Sequence, residues 1–564
     1  MNSLIVNNPR LPRLSSLPRR RQGRAGLVAA GMVAAVVLLP ILTIIAVALT
    51  SSGEDWPHLL RYVLPNALST TFVLLLMVGV GTSVIGVATA WLVVAYDFPL
   101  RRFMAWALVL PLAVPPYLAA YAHAEFFHFV GPVQSMIRAW FGFTRPADYW
   151  FPDIRSTWGA ALVLASVTYP YVYLTTRVVF LMQGRNIADV ARTLGAGPSR
   201  VFWRVLLPVA RPAIAAGVAL VLMETLNDFG AVQHLGVNTL TFAVYSTWLN
   251  RGSLEGAAQI ALVMLVFVIF MIVMEQGARH RQRFHSARAT QMKARPPRIK
   301  LGRWASMGAI VATGAPLAFG FGIPLYIFTD YAANRLHQFA DPRLVEAFVT
   351  TVVASSATAI VAVGAAIALI FSLRMRRSRW TLALTRIATA GYAMPGTILA
   401  LGLLLSLARF DNTLDSFLRA QFGISSGLIL SGTAAAVVLG CAIRFLALAE
   451  GAVQSGLMKL PPNIDEAARS LGKTAAGSAR AVLLPLVRPA IATAAILVFV
   501  DTAKELSATI LLRPFGFNTL ATHVYENASR GAVEEGAVAA LMIVVTAMVP
   551  VILLSGRLMQ DRDA

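Results

Sequence analysis

The chain has 564 residues, of which 57% are hydrophobic and 13% charged, and its formal net charge is +22. Soluble proteins carry roughly a quarter charged residues, so the composition excludes an ordinary soluble enzyme and points to the bilayer. The basic excess lies in clusters between apolar blocks, which argues for membrane topology and against nucleic-acid binding.

Residues 1–25 form a basic arm with Arg10, Arg13, Arg19, Arg20, Arg21 and Arg24. The apolar run that follows is too long for a signal-peptide core and lacks a clear small-x-small cleavage site. It is therefore read as the first of twelve spans. In the first half the spans lie near 26–49, 67–96, 103–124, 157–182, 212–230 and 255–275. In the second half they lie near 304–329, 345–373, 381–408, 425–449, 487–507 and 534–556. Each is long enough to cross the hydrocarbon core, and in lipid a lone segment satisfies its own backbone only as a helix. The fold class is an all-α membrane protein. Arg101 and Arg102, the basic stretch from Arg279 to Arg303, and the cluster Arg374, Arg376, Arg377 and Arg379 all fall on one side. That side is the cytoplasm by the positive-inside pattern, with both termini there too. The lone cysteine, Cys441, excludes a disulfide framework and reads as a small buried apolar residue.

The chain repeats itself. Asp189–Ile214 and Glu466–Ile491 align without a gap at an offset of 277, with 12 identities in 26 positions. At an offset of 280, Asn66–Thr71 parallels Glu346–Thr351, Ala113–Pro115 parallels Ala393–Pro395, and Asn238–Leu240 parallels Asn518–Leu520. Hence the domain reading: a cytoplasmic arm over 1–25, a first six-span repeat over 26–278, a basic linker over 279–303 and a second repeat over 304–564. An even number of spans gives both repeats one orientation, related by a pseudo-twofold along the membrane normal with a pathway between them. The linker, Arg- and Pro-containing and aperiodic, is expected to be exposed with little fixed structure.

The polar loop present twice suggests two docking points for two copies of a cytosolic partner. Asp189 and Glu466 suit helix N-termini. Ala191 and Ala468 are small, Gly195 and Gly472 turn a short helix, and a second short helix leads to Pro208 or Pro485. Gly472-Lys473-Thr474 mimics the end of a phosphate-binding loop, but the pattern needs Gly where Ala467 stands. No ATP binding is expected in this chain, and no motif for catalytic chemistry is present.

Spans five and eleven carry acids. Glu224 aligns with Asp501 and Asp228 with Glu505, each pair spaced i, i+4 on one helix face. Carboxylates inside a membrane are costly and mark a pathway. Four around a pseudo-twofold form an acidic ring, suited to a hard cation and repellent to sulfate, phosphate or molybdate. The alternative is structural, with Lys504 neutralising a neighbour and Asp228 and Glu505 at a wet outer end. Tyr169, Tyr171 and Tyr173 offer oxygen or sit near an interface, and His123 and His128 are poorly spaced as helical ligands.

The polar loops resemble the EAA loop of bacterial ABC-importer permeases, E-A-A-x-x-x-G followed thirteen residues after the Gly by a Leu-Pro proline. The first copy departs from it with Asp-Val-Ala. The stretches Lys504–Thr509, Leu511–Phe515 and Asn518–Thr522, with Asn227–Val232, Tyr169–Leu174 and Tyr245–Trp248, resemble the fused permeases of ferric-iron ABC importers. The resemblance implies a type I ABC importer permease fold in the bacterial inner membrane. It also implies two copies of an ATPase subunit, carrying ATP and magnesium, at the loops, and a periplasmic ferric-iron-binding protein at outer loops, where Glu54, Asp55, Asp148, Asp153, Asp330 and Asp341 are candidates. The four acids then touch iron in transit. Thiamine or a polyamine is the same-class alternative, an organic cation needing an aromatic cage. An ion-gradient-driven secondary transporter is the different-class alternative.

Overall fold

A computed structural model of the protein describes residues 19–50, 53–193, 197–280, 298–375, 378–461 and 463–560. The first half holds α1 (Arg19–Thr50), α2 (Leu64–Ala95), α3 (Pro116–Phe127), α4 (Thr157–Thr193), α5 (Leu207–Asn227), α6 (Leu240–Leu249) and α7 (Leu254–His280). The second holds α8 (Arg303–Leu317), α9 (Pro342–Met375), α10 (Gly396–Phe422), α11 (Ala434–Leu457), α12 (Arg488–Ala503), α13 (Leu520–Ser529) and α14 (Ala537–Gln560). Among the described residues nine helices are long and apolar enough to cross a membrane, or up to eleven if each of two bent pairs is one span. The remaining expected span is α4. It has 37 residues but carries Ser166, Thr168, three tyrosines and Arg177, which dilute its apolar character.

Spans three and nine are not single straight helices. Both begin as a short helix, tighten into a 3-10 turn (Leu110–Ala113 and Ala390–Ala393) and restart after Pro115 and Pro395. The cause is local. A proline pushes its predecessor out of the helical region, and Val114 (ψ 113°) and Met394 (ψ 128°) are accordingly extended. In the first half the two pieces bend by 97°. The Leu-Pro of each repeated loop has a parallel effect. A π-helical turn precedes it in both copies, Phe202–Leu206 and Ala479–Leu483, where the proline ring and its missing N–H disturb the ladder.

The halves exchange helices. From the first half, α1 lies against α9 and α10 of the second, packing Ala30, Ala34 and Val37 with Ala359, Ala362, Ala366 and Leu399. In return, Ile323–Ala333, which continues α8, lies against α3. The linker ends in fixed structure rather than trailing freely, since Ile299–Lys300 pairs in parallel with Tyr96–Asp97 at the end of α2. The rest of the linker, 281–297, lies outside the described residues.

Equivalent bonds mark the pseudo-twofold. The hydroxyl of Thr71 accepts from the Leu240 N–H at 2.9 Å, and that of Thr351 from the Leu520 N–H at 2.8 Å. On the axis itself Tyr245 meets its own counterpart, Tyr525, hydroxyl to hydroxyl at 3.3 Å. Phe229 closes against both rings, with centroids 4.3 and 5.9 Å away.

One glycine is indispensable to the exchange. A Cβ at Gly402 of α10 would stand 2.4 Å from the Pro40 carbonyl oxygen of α1. Gly402→Val should push α1 off α10 and cost about 1–3 kcal/mol. The check is a lower melting temperature of the detergent-solubilised protein.

Candidate functional site

The helices that carry the acids end at them. α5 stops at Asn227, and Asp228 leaves it with extended backbone (ψ 120°). α12 stops at Ala503, and Glu505 lies beyond it. The i, i+4 pairs therefore do not share one continuous helix face. The second acid of each pair sits at a break and caps the next turn. Asp228 Oδ1 accepts from the Ala231 N–H at 2.7 Å, and Glu505 Oε1 from the Ala508 N–H at 2.8 Å. These bonds are related by the same offset of 277 as the loops. Buried backbone donors at a break need such partners.

All four acids nonetheless line one cavity of about 80 Å³, together with Tyr117, Tyr171, Tyr392 and Phe445. Glu505 is buried, at 6% exposure, and not at a wet end. The lining is not a bare acidic ring, because two cations enter it. Arg444 of α11 reaches Glu505 Oε2 at 2.5 Å, with both side chains buried, and Lys504 reaches Asp501 Oδ1 at 2.8 Å, with both side chains partly open to the cavity. With Glu224 and Asp228, the four acids exceed the two bases. Among the described residues no three His, Cys, Asp or Glu side chains converge closely enough to hold a metal ion. Of the tyrosines in span four, Tyr171 lines the cavity, whereas Tyr169 and Tyr173 are fully buried in helix packing and Tyr173 donates to the Ala105 carbonyl at 2.7 Å. His123 is buried with Nδ1 2.7 Å from the Ala119 carbonyl, and His128 ends α3 outside the cavity lining.

Asn227 stitches the halves beside this cavity. Its Oδ1 accepts from the Gly396 N–H at 2.6 Å, and its carbonyl accepts from the Ser507 hydroxyl at 3.0 Å. Sequence reading gave no individual role to Asn227 or Ser507, which lie in the stretches that carry the resemblance, and did not single out Tyr117, Tyr392 or Arg444. Arg444 left a signal, as the only basic residue of α11.

In the first repeated loop Asp189 and Ala191 fall within α4, which runs unbroken to Thr193, and Gly195 lies outside the described residues. In the second, Glu466 and Ala468 lie on a separate short helix, Ile464–Ser470, with Ala468 buried, and Gly472 takes φ +83°. Pro208 and Pro485 sit in the first turn after their π-helical turns.

The model of the family "Binding-protein-dependent transport system inner membrane component" matches twice, at residues 82–283 and 360–562. The chain belongs to this family. Its members are transport permeases rather than enzymes, and the double match makes this chain a two-repeat permease. The Fe(3+)-transport system permease protein FbpB 2 of Haemophilus influenzae is 24% identical over 519 residues, covering 92% of this chain and 94% of that protein. Two half-length relatives also match. The probable sulfate transport system permease protein cysT of Chlorokybus atmophyticus is 27% identical over 250 residues, 42% of this chain and 82% of its own. The molybdenum transport system permease protein ModB of Escherichia coli (strain K12) is 27% identical over 198 residues, 34% of this chain and 82% of its own.

Removing the stitch should loosen the permease. Asn227→Leu leaves the buried Gly396 N–H without an acceptor, at a cost of about 1–3 kcal/mol. Thermal unfolding in detergent should show the loss, while Ser507→Ala, which frees only one lone pair of a carbonyl, should have the smaller effect.

Proposed function

We propose that the chain is the permease of an ATP-driven importer that moves ferric iron inward across the bacterial inner membrane. The observation that carries this reading is a cavity lined by Glu224, Asp228, Asp501 and Glu505 at the junction of two permease repeats. Carboxylate and phenol oxygens suit a hard cation, and a net acidic lining disfavours an anion. The iron assignment draws its support from the ferric permease that aligns over 92% of the chain and so spans both repeats. In this reading the four acids touch the ion transiently, and no metal resides in the protein. Two ATPase subunits, with ATP and magnesium, dock on the loops around Asp189–Pro208 and Glu466–Pro485. A periplasmic ferric-iron-binding protein docks on the opposite face, and both termini are cytoplasmic.

One observation favours a second cargo for the same machine. Tyr117, Tyr171, Tyr392 and Phe445 give the cavity an aromatic lining, which an organic cation such as thiamine or a polyamine could use.

Uptake of radiolabelled ferric iron into iron-starved cells separates these cargoes. Iron uptake that depends on this gene and resists thiamine, spermidine, sulfate and molybdate supports the iron reading. Gene-independent iron uptake overturns it. In the same assay the pair Glu224→Gln and Asp501→Asn should lower the rate at least tenfold. Gly472→Val places a β-branched residue at φ +83°, a strain of about 1–2 kcal/mol that should distort the loop. ATP-dependent uptake should then fall sharply with the protein still present in the membrane; unchanged uptake would remove this loop from coupling.

A further inference from the structure

Two halves that agree in their carboxylates disagree in their bases. At the offset of 277, Glu224 faces Asp501 and Asp228 faces Glu505, but Arg444 faces Val167 and Lys504 faces Asn227. Both cations of the cavity therefore come from one half. The difference has a structural origin. Asn227 is committed to the Gly396 N–H, whereas the counterpart of Gly396 at the offset of 280 is Pro116, which has no N–H to offer. Position 504 is released from stitching, and a lysine there points its ammonium at Asp501 across 2.8 Å.

The two pairs differ in accessibility. Arg444 and Glu505 are sealed, at 7% and 6% side-chain exposure, while Lys504 and Asp501 keep 25% and 28%. The open pair faces the cavity, and Glu224 lines it without a hydrogen bond or a salt bridge at contact distance among the described residues, although Arg444 and Lys504 act on it electrostatically from farther off. The cavity lining holds a further oxygen: the hydroxyl of Tyr117, a residue 3% exposed, makes no hydrogen bond among the described residues. Acid groups in excess of bases, a buried unbonded hydroxyl and a partly exposed ion pair give the cavity the groups that a cation would need.

We propose that Lys504 is a tethered counter-cation: it neutralises Asp501 while the cavity is empty, and an arriving cation binds by displacing it. Arg444 stays with Glu505 as the fixed base that keeps the break in place. The tether weakens binding, which speeds release, because a group held at high effective concentration competes with the cargo. The inference rests on the cation reading of the site, but not on the cation being iron.

The test is transport kinetics of the full permease with its ATPase and binding protein in proteoliposomes. Lys504→Gln should lower the apparent KM about fivefold or more, the scale of a partly exposed charge pair. It should also lower kcat, because release slows. Lys504→Arg, which keeps the charge, should restore both values, whereas loss of a purely structural lysine would not lower KM at all. A raised KM in Lys504→Gln would mean that the lysine attracts the cargo, and would overturn the proposal. So would unchanged KM and kcat, or a Lys504→Arg variant that behaves like Lys504→Gln. If the unmodified protein moves spermidine and not ferric iron, the iron reading fails, and the same comparison with spermidine decides this proposal separately.

Discussion

A helix that ends inside a membrane protein leaves backbone donors and acceptors with no water to take them, and the rest of this molecule is arranged around that constraint. It arises at the ends of α5 and α12, and the answer is the same in each. An acid beyond the last turn caps the chain that follows, Asp228 to Ala231 and Glu505 to Ala508. The acids thus have a structural duty, and the pathway reading has to be compatible with it. Compatibility comes from the carboxylate having two oxygens. One Glu505 oxygen caps while the other holds Arg444, and Asp228 caps through Oδ1 alone, so its second oxygen has no partner among the described residues. Glu224 and Asp501 stand within or near the last turns and cap nothing.

Fusion of the repeats into one chain matters for the same reason. Two identical subunits would have to place the same residue at both copies of every position. Here the symmetric features are those that set the frame: Thr71 and Thr351, which hold the first N–H of α6 and of α13, the π-turns before Pro208 and Pro485, and the tyrosines that meet on the axis. The asymmetric features cluster at the cavity. Asn227 with Gly396 on one side becomes Lys504 with Pro116 on the other, and Val167 becomes Arg444. A site on a pseudo-twofold axis can hold an unsymmetrical set of charges only when the two halves are free to diverge.

Segment length and hydropathy made the spans legible, and the constant offset made the duplication legible, because both are carried by many residues at once. The four acids were legible because a carboxylate in an apolar run is rare for an energetic reason. What escaped the sequence were the consequences of single residues in three dimensions. Pro115 and Pro395 were visible as a repeat, but their effect on the path of spans three and nine depends on what the bundle allows at that depth. Arg444 was visible as a charge in span ten, but its partner lies 61 positions away, across a helix break that periodicity does not show. The linker read as loose by composition, whereas its last residues find a strand partner in Tyr96–Asp97, a contact that two residues of sequence cannot announce. The shared helix face of each acid pair was over-read for a related reason: spacing of i, i+4 implies one face only while the helix lasts, and α5 ends one residue before Asp228.

On the proposed pathway, the contact at the pseudo-twofold has to move. Tyr245 and Tyr525 touch at the pseudo-twofold, and Phe229, one residue beyond the acid at the end of α5, packs against both. Tyr525 also donates to Gln233 at 2.7 Å, so the closure binds α13 of one half to the segment after the break of the other. On the proposed pathway between the repeats, a cargo has to part these rings. The stitch of Asn227 to Gly396 and Ser507 lies close by in the chain and joins the same two halves by short, buried hydrogen bonds. The two contacts differ in kind. Ring contacts and a 3.3 Å hydroxyl pair are weak and can reform in a new register, whereas a buried amide bonded to a backbone N–H is costly to open. The motion consistent with both is a rocking of the halves about the Asn227 stitch that separates the tyrosines. It leaves the capped breaks intact.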